Sequence, residues 1–119
     1  MEITIKSAKE IKVIPECFKV EENPPAFIFR QPNAKDILYF SLLTGIEGLT
    51  KIVNDCFVRF ENKIIAKDEK GIEIQYFTYQ QFSELGFSQI LADVHGDCIM
   101  AMNDAIKSLQ TEARNTEKK

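Results

Sequence analysis

The segment Ala26–Arg30 (AFIFR) constrains the fold more than any other part of the chain. It is apolar and aromatic, and Pro25 and Pro32 flank it, so it favours a short strand that ends before the second proline. Phe27 and Phe29 would share one face of this strand, because side chains alternate along a strand. A sheet is therefore expected, with aromatic side chains on one of its faces.

Two helices are expected after this strand. Asn33 is a good N-cap, and Asp36 would lie near the positive end of a helix over residues 34–44. A second helix is predicted over residues 46–60, because apolar residues recur there at spacings of three and four. These apolar residues are Ile46, Leu49, Val53, Cys56 and Phe60.

Short hairpins are expected on both sides of these helices. Residues 2–5 and 11–14 alternate polar and apolar side chains, which predicts two strands joined by a loop at 7–10. A second hairpin is predicted around the turn 67–71, where Gly71 supplies a positive φ.

Two further helices are expected towards the C-terminus. Thr78 and Gln81 have the spacing of a capping box, which predicts a short helix, and Ser88 would cap a longer one that ends near Leu109. The elements together predict an α+β fold with a small, mostly antiparallel sheet, three to four helices and a helix-rich C-terminal half. Residues 1–110 would form a single domain, followed by a flexible charged tail over 111–119.

The composition narrows the classes of function. The net charge of −3 and the pI near 5.2 argue against a nucleic-acid binder, which needs a basic face. Three cysteines without a CxxC pair are typical of a reduced, cytoplasmic protein. No apolar run approaches the roughly 18 residues of a membrane-spanning helix, so no membrane partner is expected.

No catalytic or metal-binding constellation can be assembled around His95, the only histidine. On a helix, Asp93 and Asp97 would point about 160–200° away from His95, so the three could not share an ion. Cys56 and Cys98 fall on apolar stripes, where cysteine behaves as a small buried hydrophobe. Nucleotide-binding, zinc-protease and serine-hydrolase motifs do not occur. We therefore expect no enzymatic activity, no cofactor and no metal.

The C-terminal helix is the first candidate for a partner-binding surface. Met100 falls on its polar face, and a flexible thioether suits an adaptable binding surface. The C-terminal end of this helix is furthest in sequence from the other elements. We therefore hypothesise that four apolar residues bind a partner: Met100, Met102, Ile106 and Leu109.

Aromatic residues outside the predicted core are further candidates. Phe18 lies in an acidic loop, and Tyr76 and Phe77 lie between a strand and a capped helix, so either place could contribute to an exposed patch. Self-association as a homo-oligomer stays open, because an uncovered apolar stripe would favour it.

Three segments occur in an order that resembles the phage tail assembly chaperones. The first, Pro25–Asp36 (PAFIFRQPNAKD), is a strand that leads into a helix. The second, Phe60–Tyr76 (FENKIIAKDEKGIEIQY), has an aromatic residue, an Asp-x-x-Gly turn and an apolar stretch. The third, Thr78–Leu85 (TYQQFSEL), is a short capped helix that precedes a final helix with a charged tail. The resemblance covers residues 24–119, and residues 1–23 have no clear counterpart.

The resemblance implies a non-enzymatic assembly factor in the host-cell cytoplasm. Such proteins bind the tape-measure protein, keep its long helices soluble and recruit tail-tube subunits; many also exist in a longer, frameshifted form. Phe60 stands where the family commonly has tryptophan. Alternatives are another phage structural component, such as a minor tail or head-completion protein, or a small bacterial adaptor or antitoxin-like module.

Overall fold

Four α-helices and two small antiparallel sheets form the fold in residues 1–5, 7–42 and 45–117, which are the residues that the computed structural model describes. The predicted α+β class is confirmed, as are the antiparallel strands and the helical C-terminal part. The elements occur in the order β1 (Glu10–Val13), a 3-10 helix (Glu16–Phe18), β2 (Ala26–Arg30), α1 (Ala34–Leu42), α2 (Ile46–Cys56), β3 (Phe57–Glu61), β4 (Ala66–Lys67), β5 (Glu73–Ile74), α3 (Tyr79–Ser83) and α4 (Gln89–Glu117).

The predicted strand Ala26–Arg30 is β2, the central strand of the sheet β1-β2-β3. Phe27 and Phe29 share the face towards the core, as predicted, and are 1% and 0% exposed. Their rings meet other aromatic rings at centroid distances of 5.2–5.9 Å, mostly edge to face, which is a favourable arrangement. The other rings of this cluster are those of Phe57, Phe60, Tyr76, Tyr79 and Phe82.

The strand β3 replaces the last turn of the predicted second helix. The apolar stripe indicated a helix to Phe60, but α2 ends at Cys56 and the chain pairs with β2 from Phe57 onwards. A register shift in this pairing leaves Val58 without an opposite residue, so Phe57 and Phe60 both pack against the core although three positions separate them. That spacing imitates a helix, and the pairing with the buried strand decides the conformation.

Ion pairs cross the other face of this sheet. Arg59 in β3 binds Glu10 in β1 at 2.7 Å, and Lys12 in β1 binds Glu61 in β3 at 3.4 Å. Ile28 lies between Lys12 and Arg59 in the register and is only 2% exposed. The aliphatic parts of these long side chains therefore cover the central strand while their charges stay in water.

The predicted N-terminal hairpin does not form. Residues 2–5 adopt no strand in the structure, and β1 begins at Glu10, inside the predicted loop. Ile3 and Ile5 are each 80% exposed, so their alternation does not reflect a buried face. The strand β1 pairs instead with β2, whose aromatic face is buried in the core.

The predicted starts of α1 and α3 are confirmed. The Asn33 side chain accepts a hydrogen bond from the Asp36 amide at 3.1 Å, and the Asp36 carboxylate accepts one from the Asn33 amide at 2.8 Å. Thr78 and Gln81 form the reciprocal bonds of a capping box at α3. The end of the predicted first helix, residues 43–44, lies outside the described residues.

The second hairpin also forms, with a shorter ladder than predicted. Ala66 pairs with Ile74 and Lys67 with Glu73, and Gly71 has a φ of 81° in the turn between them. The Asp68 carboxylate accepts hydrogen bonds from two amides of this turn, which fixes its conformation.

The last helix is longer than predicted. It continues past Leu109 to Glu117, so the first residues of the expected charged tail are helical. Residues 110–117 contain no glycine or proline that would end a helix, which explains the continuation. Residues 118–119 lie outside the described residues.

Candidate protein-binding site

A buried carboxylate links three segments of the chain. Asp36 is 1% exposed, and its Oδ2 lies 2.7 Å from the Arg30 guanidinium, 2.8 Å from the Asn33 amide nitrogen and 3.5 Å from Cys56 Sγ. Arg30 also donates to the backbone carbonyl of Asp55 at 3.3 Å. The cluster therefore ties the end of β2 to the start of α1 and the end of α2.

The electrostatics of this cluster favour a structural role. Burial works to raise the pKa of Asp36, but the Arg30 guanidinium and the Asn33 amide outweigh it, so this pKa lies below its ordinary value. Burial, together with the Asp36 carboxylate, raises the pKa of the Cys56 thiol to about 12. A thiol that stays protonated is a poor nucleophile, so Cys56 is unsuited to covalent catalysis.

A second buried cluster joins α3 to α4. The Tyr79 hydroxyl lies 2.6 Å from Nδ1 of His95, and the two rings are stacked with centroids 5.7 Å apart. Burial raises the pKa of Tyr79 and lowers that of His95, so the hydroxyl stays protonated and the imidazole stays neutral, with one hydrogen bond between them. Burial also raises the pKa of the Cys98 thiol to about 12. This cluster is neutral and positions α3 on α4.

Neither cluster resembles a metal site. Within the described part of the chain, no three His, Cys, Asp or Glu side chains come together in a way that could hold an ion. His95 faces Tyr79, and Asp97 accepts a hydrogen bond from the Glu16 amide at 3.0 Å. The carboxylate of Asp97 thus fastens the 3-10 helix to α4.

The four residues of the partner-binding hypothesis lie on different faces of α4. Met102 and Ile106 are 0% exposed and belong to the core, so in this conformation they cannot contact a partner. Met100 is 57% exposed and Leu109 is half-buried. Of the four, only Met100 and Leu109 are therefore accessible. Among the aromatic candidates, Tyr76 is buried, whereas Phe77 is 73% exposed.

An apolar groove lies between the start of α4 and the segment that includes β4. Its volume is about 370 Å³, and Ile65 and Ile90, on its two sides, are 67% and 52% exposed. Phe87, 89% exposed, lines a small pocket that shares Leu91 with this groove. We call the larger depression, of about 370 Å³, the α4 groove. Its lining residues are Phe18, Ile64, Ile65, Ala66, Lys67, Ser88, Ile90 and Leu91.

Sequence reasoning singled out Phe18 but missed the isoleucines of this groove. Ile65 belongs to a pair of isoleucines next to the predicted turn, where the pattern favours a hairpin strand, and Ile90 comes two residues after the helix cap Ser88. A helical projection from Leu91 would have placed Ile90 about 100° away from the packed face. The position of β4 against α4 depends on tertiary packing, so the groove itself had no sequence signal.

Three further exposed apolar residues lie on α1 and α2. Leu38 and Leu42, one turn apart in α1, are 56% and 71% exposed, and Ile46 at the start of α2 is 73% exposed. Ile46 belongs to the apolar stripe that predicted α2, yet it is exposed, whereas Val53 and Cys56 of the same stripe are buried. We call these three residues the α1–α2 patch.

No protein-family model, curated protein or solved structure matches this chain in comparisons with known proteins. None of the described helices is both long enough and apolar enough to cross a membrane.

Proposed function

We propose that this chain is a non-enzymatic protein-binding factor, and more specifically a phage tail assembly chaperone. It would bind the tape-measure protein and tail-tube subunits in the host-cell cytoplasm. The observation that carries the binding function is the α4 groove, where Ile65 and Ile90 expose more than half of their surface beside an apolar depression. Exposed apolar surface of this kind is typical of protein interaction sites.

The phage assignment rests on the order of segments along the chain. The strand β2, the capped helix α1, the Asp-x-x-Gly turn and the capped helix α3 follow one another as in the resemblance, and a long helix completes the series. The groove lies between two parts of this series, because β4, which precedes the Asp-x-x-Gly turn, and the start of the long helix α4 both line it.

Co-expression with the proteins encoded beside this chain tests the proposal. A chaperone should capture a long, helix-rich neighbour and increase the soluble fraction of that neighbour. The double variant Ile65→Ser/Ile90→Ser should lose this capture, whereas Leu42→Ser/Ile46→Ser, at somewhat more exposed positions in the α1–α2 patch, should retain it.

Mass spectrometry of purified particles separates the proposal from its closest rival. A chaperone should be absent from the finished particle, whereas a minor tail or head-completion protein would be present. Failure to capture any neighbour, together with capture of a host protein, would favour the adaptor or antitoxin-like alternative.

A further inference from the structure

We infer that the α4 groove binds an amphipathic helix of another protein, with lysine or arginine residues flanking the apolar residues of that helix. This inference rests on the proposed binding function and specifies the chemistry of the partner. It is carried by the apolar lining of the groove and by the charges that continue from its rim along α4.

The lining of the groove suits aliphatic side chains. Phe18, Ile64, Ile65, Ile90 and Leu91 supply most of it, and only Lys67 and Ser88 are polar. A small polar ligand would need several convergent hydrogen-bonding groups, and these two residues do not provide them. A helix that lays one apolar face into a groove needs only this kind of lining.

The face of α4 beyond the groove carries two acidic residues: Asp93 is exposed, and Asp97 is half-buried with its carboxylate bonded to the Glu16 amide. Asp93 and Asp97 follow Ile90 at intervals of three and four residues, so the three side chains share one face of the helix. Asp93 is exposed, accepts a hydrogen bond from Gln89 at 3.0 Å and forms no ion pair within the described residues. Its negative charge therefore remains available to a cationic partner.

Other charges near the groove do not cancel this preference. Glu16 lies beside Asp93 and Asp97 in a neighbouring depression and is paired with Lys19 at 2.6 Å. Lys67 is on the β4 side of the groove. Lys19 also interacts with Asp97, so Asp93 is the main source of negative charge beyond the groove. A helix docked there gains from lysine or arginine beside its apolar residues.

A second copy of this chain is a poorer occupant. Pairing two such faces would place Asp93 and Asp97 of one copy near acidic groups of the other, and like charges oppose association. The whole chain also carries a net charge of −3. A basic helix from a different protein satisfies both the apolar lining and the acidic face.

Two synthetic peptides test the inference. Each has about 20 residues, long enough to be helical, with leucines along one face of an alanine-rich helix. One carries lysines beside the leucines and the other carries glutamates at the same positions. Fluorescence anisotropy with the full chain should show that the lysine peptide binds at least about tenfold more tightly than the glutamate peptide.

Variants then locate the binding site. Ile65→Ser and Ile90→Ser should each weaken binding of the lysine peptide about tenfold, because each removes a buried aliphatic contact. Leu42→Ser and Ile46→Ser, in the α1–α2 patch, are matched controls and should bind normally. Asp93→Asn should weaken binding about threefold at low salt, and this difference should vanish near 1 M salt.

Each contrary result overturns the inference. Equal binding of both peptides would remove the role of charge, and loss of binding only in the α1–α2 variants would move the site. Concentration-dependent dimerisation that Ile90→Ser abolishes would identify a second copy as the occupant. Absence of binding by the lysine peptide would also reject the inference that the groove binds a basic amphipathic helix. If the Ile65→Ser/Ile90→Ser variant still captures a neighbour in co-expression, the chaperone function holds but does not use the groove. If the lysine peptide binds but no neighbour is captured, the groove is a binding site and the chaperone function is rejected.

Discussion

The two buried polar clusters of this chain differ in charge and therefore in what they require from their surroundings. Asp36 is an ionised group held by Arg30 and two further donors, whereas Tyr79 and His95 form a neutral hydrogen-bonded pair. A buried ion loses a large solvation energy that only several good partners can replace, while a neutral pair needs one. The first cluster should therefore matter more to stability than the second.

Both clusters lie next to a buried thiol, and the reactivity of these thiols gives the largest expected contrast. Cys56 and Cys98 are each 0% exposed, whereas Cys17 is exposed. In the native protein, a thiol reagent at neutral pH should modify Cys17 about a hundredfold faster than the other two, because these react only after an opening of the structure. Mass spectrometry after timed alkylation measures the three rates separately.

The same alkylation experiment tests whether the two clusters differ in local stability. Cys17→Ser removes the fast reaction and leaves Cys56 and Cys98 to be compared directly. If Cys98 reacts much faster than Cys56, then α3 opens from α4 locally and the neutral cluster is the weaker link. Equal slow rates would mean that both thiols become accessible only in global unfolding.

The next largest effect is expected from Asp36→Ala. It should lower the free energy of unfolding by about 3 kcal/mol, because it leaves the Arg30 guanidinium and the Asn33 amide without their acceptor. The Arg30 side chain is 35% exposed, so water can replace part of this interaction and keep the loss at the lower end of the usual range. Urea denaturation monitored by circular dichroism gives the value.

Two variants serve as references for this loss. Asp36→Asn keeps an acceptor for the Asn33 amide and should cost less than Asp36→Ala. Glu10→Ala removes the exposed ion pair with Arg59 and should leave the urea midpoint unchanged. A loss for Glu10→Ala as large as that for Asp36→Ala would contradict the distinction between buried and surface charges.

From the sequence, the contacts between Asn33 and Asp36 in the first cluster could be predicted, but no contact of the second cluster could. Asn33 and Asp36 are three residues apart, so the cap of α1 could be predicted from their spacing. Cys56 is 20 residues from Asp36, and the pairing of Tyr79 with His95 depends on how α3 packs on α4. Contacts of this kind follow from tertiary packing, which a single sequence does not encode as a pattern.

The same limit explains the errors in the fold and the site. The bulge at Val58 gave β3 a helical spacing, and only its pairing with β2 revealed a strand. The hypothesis of a partner surface on α4 includes Met102 and Ile106 because they lie far along the chain, yet α4 packs against the core as far as Ile106. The overall α+β class was accessible because it depends on caps, turns and periodicity.

A smaller effect is expected from Tyr79→Phe, which tests the neutral cluster. This change keeps the ring in the aromatic core and removes the hydroxyl, which bonds His95 and also interacts with the Cys98 thiol, so the free energy of unfolding should fall by about 1 kcal/mol. Tyr39→Phe is a matched control, since the Tyr39 hydroxyl makes no hydrogen bond among the described residues and its ring would still contact Lys51. Equal losses in the two variants would show that the bond contributes nothing.

The smallest effect is a pH dependence of stability that originates in His95. Its pKa in the folded protein is lowered by burial, so the unfolded chain binds a proton first as the pH falls below the ordinary value of 6.5. The contribution of His95 to stability should therefore be fully present above pH 6.5 and decline as the pH falls towards the pKa of His95 in the folded protein.

The Asp36 cluster affects stability at a lower pH. Because the pKa of the Asp36 carboxyl is lowered, its contribution to stability persists until the pH falls below the ordinary value of 3.8. Urea midpoints between pH 7.5 and 5 should show the first decline in the natural chain and lose it in His95→Gln. The decline should persist in Asp36→Asn, and its disappearance there would mean that the two clusters do not titrate independently.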